Sequence, residues 1–152
     1  MNVPSQVADL LRGWPQPGIH EQAFPLVTVD DRGYPHVALL SRSEMDVAPG
    51  ESAVLAVIGS ERTRANLARS GQATLIATGA TSAYYLKLQL VRSIEQEGAM
   101  GCAFEAVEFK EDSLGIPLTA MGFQATDDIA RMERWERSGR ILRLLAEQDT
   151  PS

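Results

Sequence analysis

Residues 59–71 read Gly-Ser-Glu-Arg-Thr-Arg-Ala-Asn-Leu-Ala-Arg-Ser-Gly and lie between two apolar runs, 53–58 and 72–78. The segment carries three arginines and one acid in a chain whose net charge is −6. Ser60 and Thr63 place hydroxyls where a short helix begins, with Arg62 and Arg64 beside them. Unpaired backbone N–H groups, hydroxyls and guanidinium groups together suit a phosphate. The same residues equally describe a capped, solvated surface helix, because a Ser N-cap is common and contributes only about 1 kcal/mol. Local sequence leaves both readings open.

Other chemistry-bearing residues are scattered. His36 follows a turn signal and His20 sits in a Pro/Gly-rich stretch; neither has a Glu or Cys at ligand spacing, so no metal site is expected. Cys102, the single cysteine, excludes an internal disulfide and opens a strand-like run without a basic neighbour, the pattern of a buried inert thiol. Lys87 and Gln89 lie on the polar side of an alternating run, facing either solvent or a cleft. The acids Glu105, Glu108, Glu111 and Asp112 read as a solvated edge. No nucleophile–base constellation, Walker loop or G-x-G-x-x-G is present.

The elements that position these residues are mostly strands. Residues 5–12 form a short amphipathic helix with Ser5 as its cap, closed by Gly13-Trp14-Pro15-Gln16-Pro17-Gly18. The runs 24–29 and 34–41 flank Asp30-Asp31-Arg32-Gly33 and predict a hairpin. Residues 53–58 are continuously apolar, as in a strand buried on both faces. The 59–71 segment supplies a helix stopped by Gly71, and 72–78 is again strand-like. Residues 83–93 alternate, with 101–110 as partner after a turn at Glu97-Gly98 and a bulge between them. The segment 127–146 is helical, capped by Thr126 or Asp127, with a break at Ser138-Gly139. Trp14 and Trp135 read as packing anchors for the terminal helices. About six strands without crossover helices indicate a mainly β, antiparallel barrel with flanking helices, in one domain over 1–152.

Bulk properties fit that outline. The chain has 152 residues, 44% hydrophobic and 22% charged, enough to bury a core. An acidic pI near 4.9 argues against general nucleic-acid binding. With no signal-peptide pattern in residues 1–14 and no apolar run of membrane-spanning length, the expectation is a cytoplasmic protein that does not enter membranes.

In the order of its elements the chain resembles the pyridoxamine 5′-phosphate oxidase-like split-barrel flavoproteins. The resemblance covers residues 24–93. It rests on Phe24-Pro25-Leu26-Val27-Thr28-Val29-Asp30, the Gly33-Tyr34-Pro35-His36 turn, Val37-Ala38-Leu39-Leu40-Ser41, the apolar strand to Ile58, and Ser60…Arg62-Thr63…Asn66-Leu67 before Gly71. It implies a six-stranded split barrel that binds FMN between the subunits of a homodimer. His36, Val37, Ala38 and Leu39 would run beside the flavin ring, and Val57 and Ile58 beside the ribityl chain. Ser60, Arg62, Thr63 and Arg64 would hold the phosphate, and Lys87 or Gln89 would approach from a neighbouring strand. Some relatives take F420 or haem instead, and a few have lost the cofactor. A lysine is customary where this chain has Thr63, and the arginine-rich C-terminal motif of the authentic oxidases is absent. The implied function is an FMN-dependent oxidoreductase of unknown substrate, or a non-catalytic module that holds the same cofactor.

Overall fold

A computed structural model describes residues 1–148. Its main feature is a seven-stranded antiparallel sheet in the order β3-β2-β6-β7-β8-β5-β4. The strands are β2 (Phe24–Val29), β3 (Pro35–Leu40), β4 (Met45–Val47), β5 (Val54–Ile58), β6 (Gln72–Thr78), β7 (Ser82–Gln96) and β8 (Ala99–Ser113). A separate two-stranded sheet pairs β1 (His20–Gln22) with β9 (Gly122–Gln124). The helices are α1 (Ser5–Leu11), α2 (Glu61–Ser70), α3 (Asp127–Met132) and α4 (Trp135–Gln148). None is long and apolar enough to cross a membrane.

The mainly β, antiparallel architecture agrees with the sequence expectation, but the strand count is larger than six. The strands it lacked are β1, β4 and β9, each of three residues. Three residues hold too little periodicity to read. Two further details differ. Ser5 does not cap α1; Pro4 holds the N-cap position and no side chain caps it. Nor do Ser138 and Gly139 break the C-terminal helix, for both are buried inside α4. Gly139 is there because Trp14 approaches, an added Cβ lying 3.2 Å from the indole. The break falls instead between α3 and α4, where Arg134 adopts φ 53°.

Local signals explain the rest. The β2–β3 turn is built on Asp30, whose Oδ1 accepts from the N–H groups of Arg32 and Tyr34 at 2.9 Å, and on Gly33 at φ 85°. Glu97 and Gly98 both take positive φ, the two-residue hairpin turn that matches strand twist. Register shifts between Lys87 and Leu88 and between Leu90 and Arg92 bend the long β7–β8 ribbon.

The barrel interior holds Phe24, Leu26, Val54, Ala56, Ile58, Leu75, Leu86 and Phe104, closed by Val7 and Leu11 of α1 and Leu67 of α2. A second cluster lies outside the sheet, where Leu55, Val57 and Ala103 meet Ile141, Leu142 and Leu145 of α4. Every residue of β5 is therefore buried, alternately against the barrel and against α4. Trp14 and Trp135 meet edge to face, with ring centroids 6.1 Å apart, and tie the chain before β1 to the start of α4.

The α4 seat depends on Gly101, where an added Cβ would lie 2.7 Å from Ile141 and 3.2 Å from Leu145. Gly101→Ala should destabilise the protein by about 1–3 kcal/mol. Thermal unfolding should then shift down by several degrees, about 2–4 °C per kcal/mol at this size. An unchanged melting temperature would mean that α4 does not pack here.

Candidate ligand-binding cleft

The sheet does not close. β3 pairs with β2 alone, and no ladder joins it to β4 or β5 at the opposite edge. Yet residues of β3 and of the end of β5 line one cleft of about 420 Å³. One wall is β3, from His36 to Leu40; the other is Val57 and Ile58 at the end of β5, continuing into Gly59 and Ser60. The remaining border comes from Glu44 and from Glu133, Arg137 and Ser138 at the α3–α4 junction.

Each wall has a structural cause. On β3, Ala38 and His36 sit opposite Leu26 and Thr28, while Val37 and Leu39 sit opposite Val27 and Pro25 on the outer face. Val37 and Leu39 are 53% and 52% exposed, an apolar stripe along an unpaired edge. Ser60 caps α2, its Oγ accepting from the Thr63 N–H at 3.4 Å, and Gly71 ends the helix at φ 69° with its N–H on Leu67 O. α2 is held to β2 by a polar network: Asn66 Nδ2 donates to Thr28 Oγ1 at 2.9 Å, and Arg69 Nη2 donates to Val29 O at 2.6 Å.

Of the residues expected at a cofactor site, His36, Val37, Ala38, Leu39, Val57, Ile58 and Ser60 come together in this cleft. The others stand elsewhere. Thr63 is fully buried and its Oγ1 has no hydrogen-bond partner among the described residues. Arg64 turns toward the β7–β8 hairpin, 3.6 Å from Glu95 and 3.5 Å from Gly98 O. Arg62 is exposed outside the cleft lining. Lys87 lies on the outer sheet face, ion-paired to Glu108 at 2.8 Å. Tertiary contacts make this split: Thr63 packs into the interior, and Arg64 is drawn to Glu95 and Gly98.

Three ionisable cleft residues lay outside the sequence reading. Glu44, in the β3–β4 connection, accepts from Ser41 N–H at 3.3 Å and Ser41 Oγ at 3.4 Å. Burial, and then the nearby Glu133 charge, push its carboxyl up to about 7. Arg137 is half-buried, its Nε fully enclosed and without a partner. Burial and then the Arg134 charge lower its pKa. A signal for Arg137 was present in the run of Arg131, Arg134, Arg137 and Arg140, which the break at Arg134 divides between α3, the junction and α4. All four line a second groove of about 780 Å³ walled by Trp14, Pro15, Pro17 and Trp135, and Arg137 borders both spaces. Cys102 is buried and its thiol is pushed up to about 12 by burial, the inert state expected for it.

Known proteins share this fold. No family model matches the chain. The uncharacterized protein YclD of Bacillus subtilis is 35% identical over 68 residues, covering 45% of this chain and 44% of that protein. The match therefore spans less than half of the relative's length. Among solved structures, HupZ of Group A Streptococcus superposes with a TM-score of 0.56 at 15% identity, over 77% of this chain and 99% of that one. The likeness is one of fold, an antiparallel split barrel with flanking helices. Split-barrel topology also relates the chain to a nitrilotriacetate monooxygenase component B homologue from Mycobacterium thermoresistibile. There the TM-score is 0.50 at 8% identity, over 62% of this chain and 70% of that one. In split-barrel terms the cleft is the split itself, between the unpaired β3 edge and the end of β5.

Glu44 makes the barrel's stability depend on pH. Its folded pKa of about 7 lies above the ordinary 4.5, so the folded protein holds this proton more tightly than the unfolded chain. The contribution is fullest below 4.5, declines between 4.5 and 7, and is gone above 7. Glu44→Gln should therefore raise the melting temperature at pH 8 by a few degrees and leave it nearly unchanged at pH 5. Equal shifts at both pH values would show that Glu44 ionises normally.

Proposed function

We propose that the cleft binds FMN and that the chain acts as a homodimeric flavin-dependent oxidoreductase. The observation that carries this reading is the pairing of an unladdered strand edge, His36 to Leu39, with the Val57–Ser60 turn across about 420 Å³. That volume falls among small-molecule sites, about 300–1,000 Å³. The orphaned Arg137 Nε fits a ligand with an acceptor oxygen, since a buried donor without a partner is costly. One solved structure of this fold is named as a monooxygenase component, which agrees with redox chemistry.

The residues divide the work as follows. Backbone groups of residues 36–39 hydrogen-bond the flavin's ring edge, and Val57 and Ile58 pack against the ribityl chain. Ser60 lies toward the phosphate. FMN, once bound, supplies the redox chemistry, so the protein's tasks are to position it, exclude water and admit substrate. The Trp14–Trp135 groove, adjoining the cleft at Arg137, is the route for that substrate. The apolar outer face of Pro25, Val27, Val37 and Leu39 is the surface for a second copy of the chain. Lys87, on the same side of the sheet, then comes near the partner's cleft. Thr63 favours a second reading, a barrel that has lost its cofactor, because no lysine stands at that position.

Purified protein should be yellow or should bind FMN at micromolar concentration, read by the visible spectrum and by flavin fluorescence. A colourless protein that ignores added FMN supports the second reading, and a Soret band selects haem. Leu39→Asp should convert a dimer into a monomer by light scattering and weaken FMN binding by about ten-fold or more. A monomeric wild type with full FMN affinity would refute the shared cleft.

A further inference from the structure

The cleft has a cation problem that the sequence did not solve. An anionic group entering between β3 and Ser60 meets neither Thr63, which is buried, nor Arg64, which is engaged with Glu95 and Gly98. The Ser60 hydroxyl already accepts from the Thr63 N–H. Among the described cleft-lining residues the permanent cation is Arg137, delivered by α4 from the far end of the chain. Its position is close to the turn: a Cβ added at Gly59 would lie 3.7 Å from Arg137 Nη2. Its donors are largely unspent. Nη1 donates to Glu97 O at 3.3 Å, and the buried Nε has no partner among the described residues.

We infer that Arg137 is the oxyanion-binding residue of the cleft, replacing from α4 the positive charge that position 63 does not supply. This inference rests on the flavin reading for the identity of the oxyanion, the FMN phosphate, but not for its existence. A planar guanidinium with an unpartnered Nε–H and an Nη–H offers two parallel donors, the geometry that matches a phosphate or carboxylate. A donor enclosed by protein cannot turn to water, so only an entering acceptor satisfies it. Two acids border the same space. Glu133 is exposed, and Glu44 lies deeper with its carboxyl held by Ser41. Neither hydrogen-bonds Arg137, so the fork stays available. The acids screen the arginine and set a pH dependence: as Glu44 takes up its proton near 7, an anion faces less opposing charge.

The test uses FMN, riboflavin and inorganic phosphate on the full chain, with Arg137→Gln and Arg137→Lys checked for unchanged melting temperature. Wild type should bind FMN at least about ten-fold more tightly than riboflavin, as a charge-assisted contact implies. Arg137→Gln should erase that difference by weakening FMN alone, and Arg137→Lys should restore part of it. A different source of the oxyanion has its own signature. If the two flavins bind alike in every form, phosphate added to the flavin-loaded protein should shift the flavin absorption in wild type and not in Arg137→Gln. That outcome would assign Arg137 to an anionic substrate. An FMN preference that survives Arg137→Gln, with identical phosphate responses, overturns the inference. Should wild type bind neither flavin, the flavin reading fails by itself. Calorimetry with phosphate then decides: binding lost in Arg137→Gln supports the oxyanion seat, and no binding overturns it.

Discussion

β5 has no polar face, and the rest of the molecule is arranged around that fact. Val54, Ala56 and Ile58 belong to the barrel interior, while Leu55 and Val57 point away from it. An exposed second face would leave branched aliphatic surface in water, at about 25 cal/mol per Å². The chain covers it with α4, whose Ile141, Leu142 and Leu145 complete a second core. Docking α4 there carries its first turn to the end of β5, which is where the split opens. The site's border is thus a consequence of packing the most apolar strand.

The split has a related origin. β3 and the β4–β5 edge approach each other but form no ladder, so a cleft replaces hydrogen bonds. α2 follows β5 and is tied to β2 by the Asn66–Thr28 and Arg69–Val29 contacts in its second half. Acidic and basic groups then concentrate in a small, half-enclosed space. Glu44 is pushed up by burial and by Glu133, and Arg137 is pushed down by burial and by Arg134. Both shifts disfavour charge, the expected response of groups taken out of water.

Much of the architecture was legible because its signals are local. The β2–β3 hairpin follows from Asp30 and Gly33, the β7–β8 hairpin from Glu97-Gly98, and α2 from Ser60 and Gly71. The alternation of residues 83–93 marked a strand, and its bulges appeared as disturbed alternation in the partner. Failures came where a residue serves a neighbour distant in sequence. Gly139 looked like a helix break and is instead the flat spot on which Trp14 rests. Thr63 is buried under α2 and Arg64 is drawn to Glu95 of the β7–β8 hairpin, contacts that no local pattern around residues 60–64 signals.

What the sequence determined by itself was a mainly β antiparallel fold and its turns, while the cleft residues 36–39, 57, 58 and 60 were what the family resemblance implied. The fold and its turns depend on hydrophobic period and backbone conformation, which neighbouring residues dictate. Only the tertiary structure decided which charges face that cleft. Glu44 and Arg137 meet there because α4 packs against β5, a contact between segments far apart in the chain. Coulombic and desolvation effects act through space, so no local pattern around either residue encodes them.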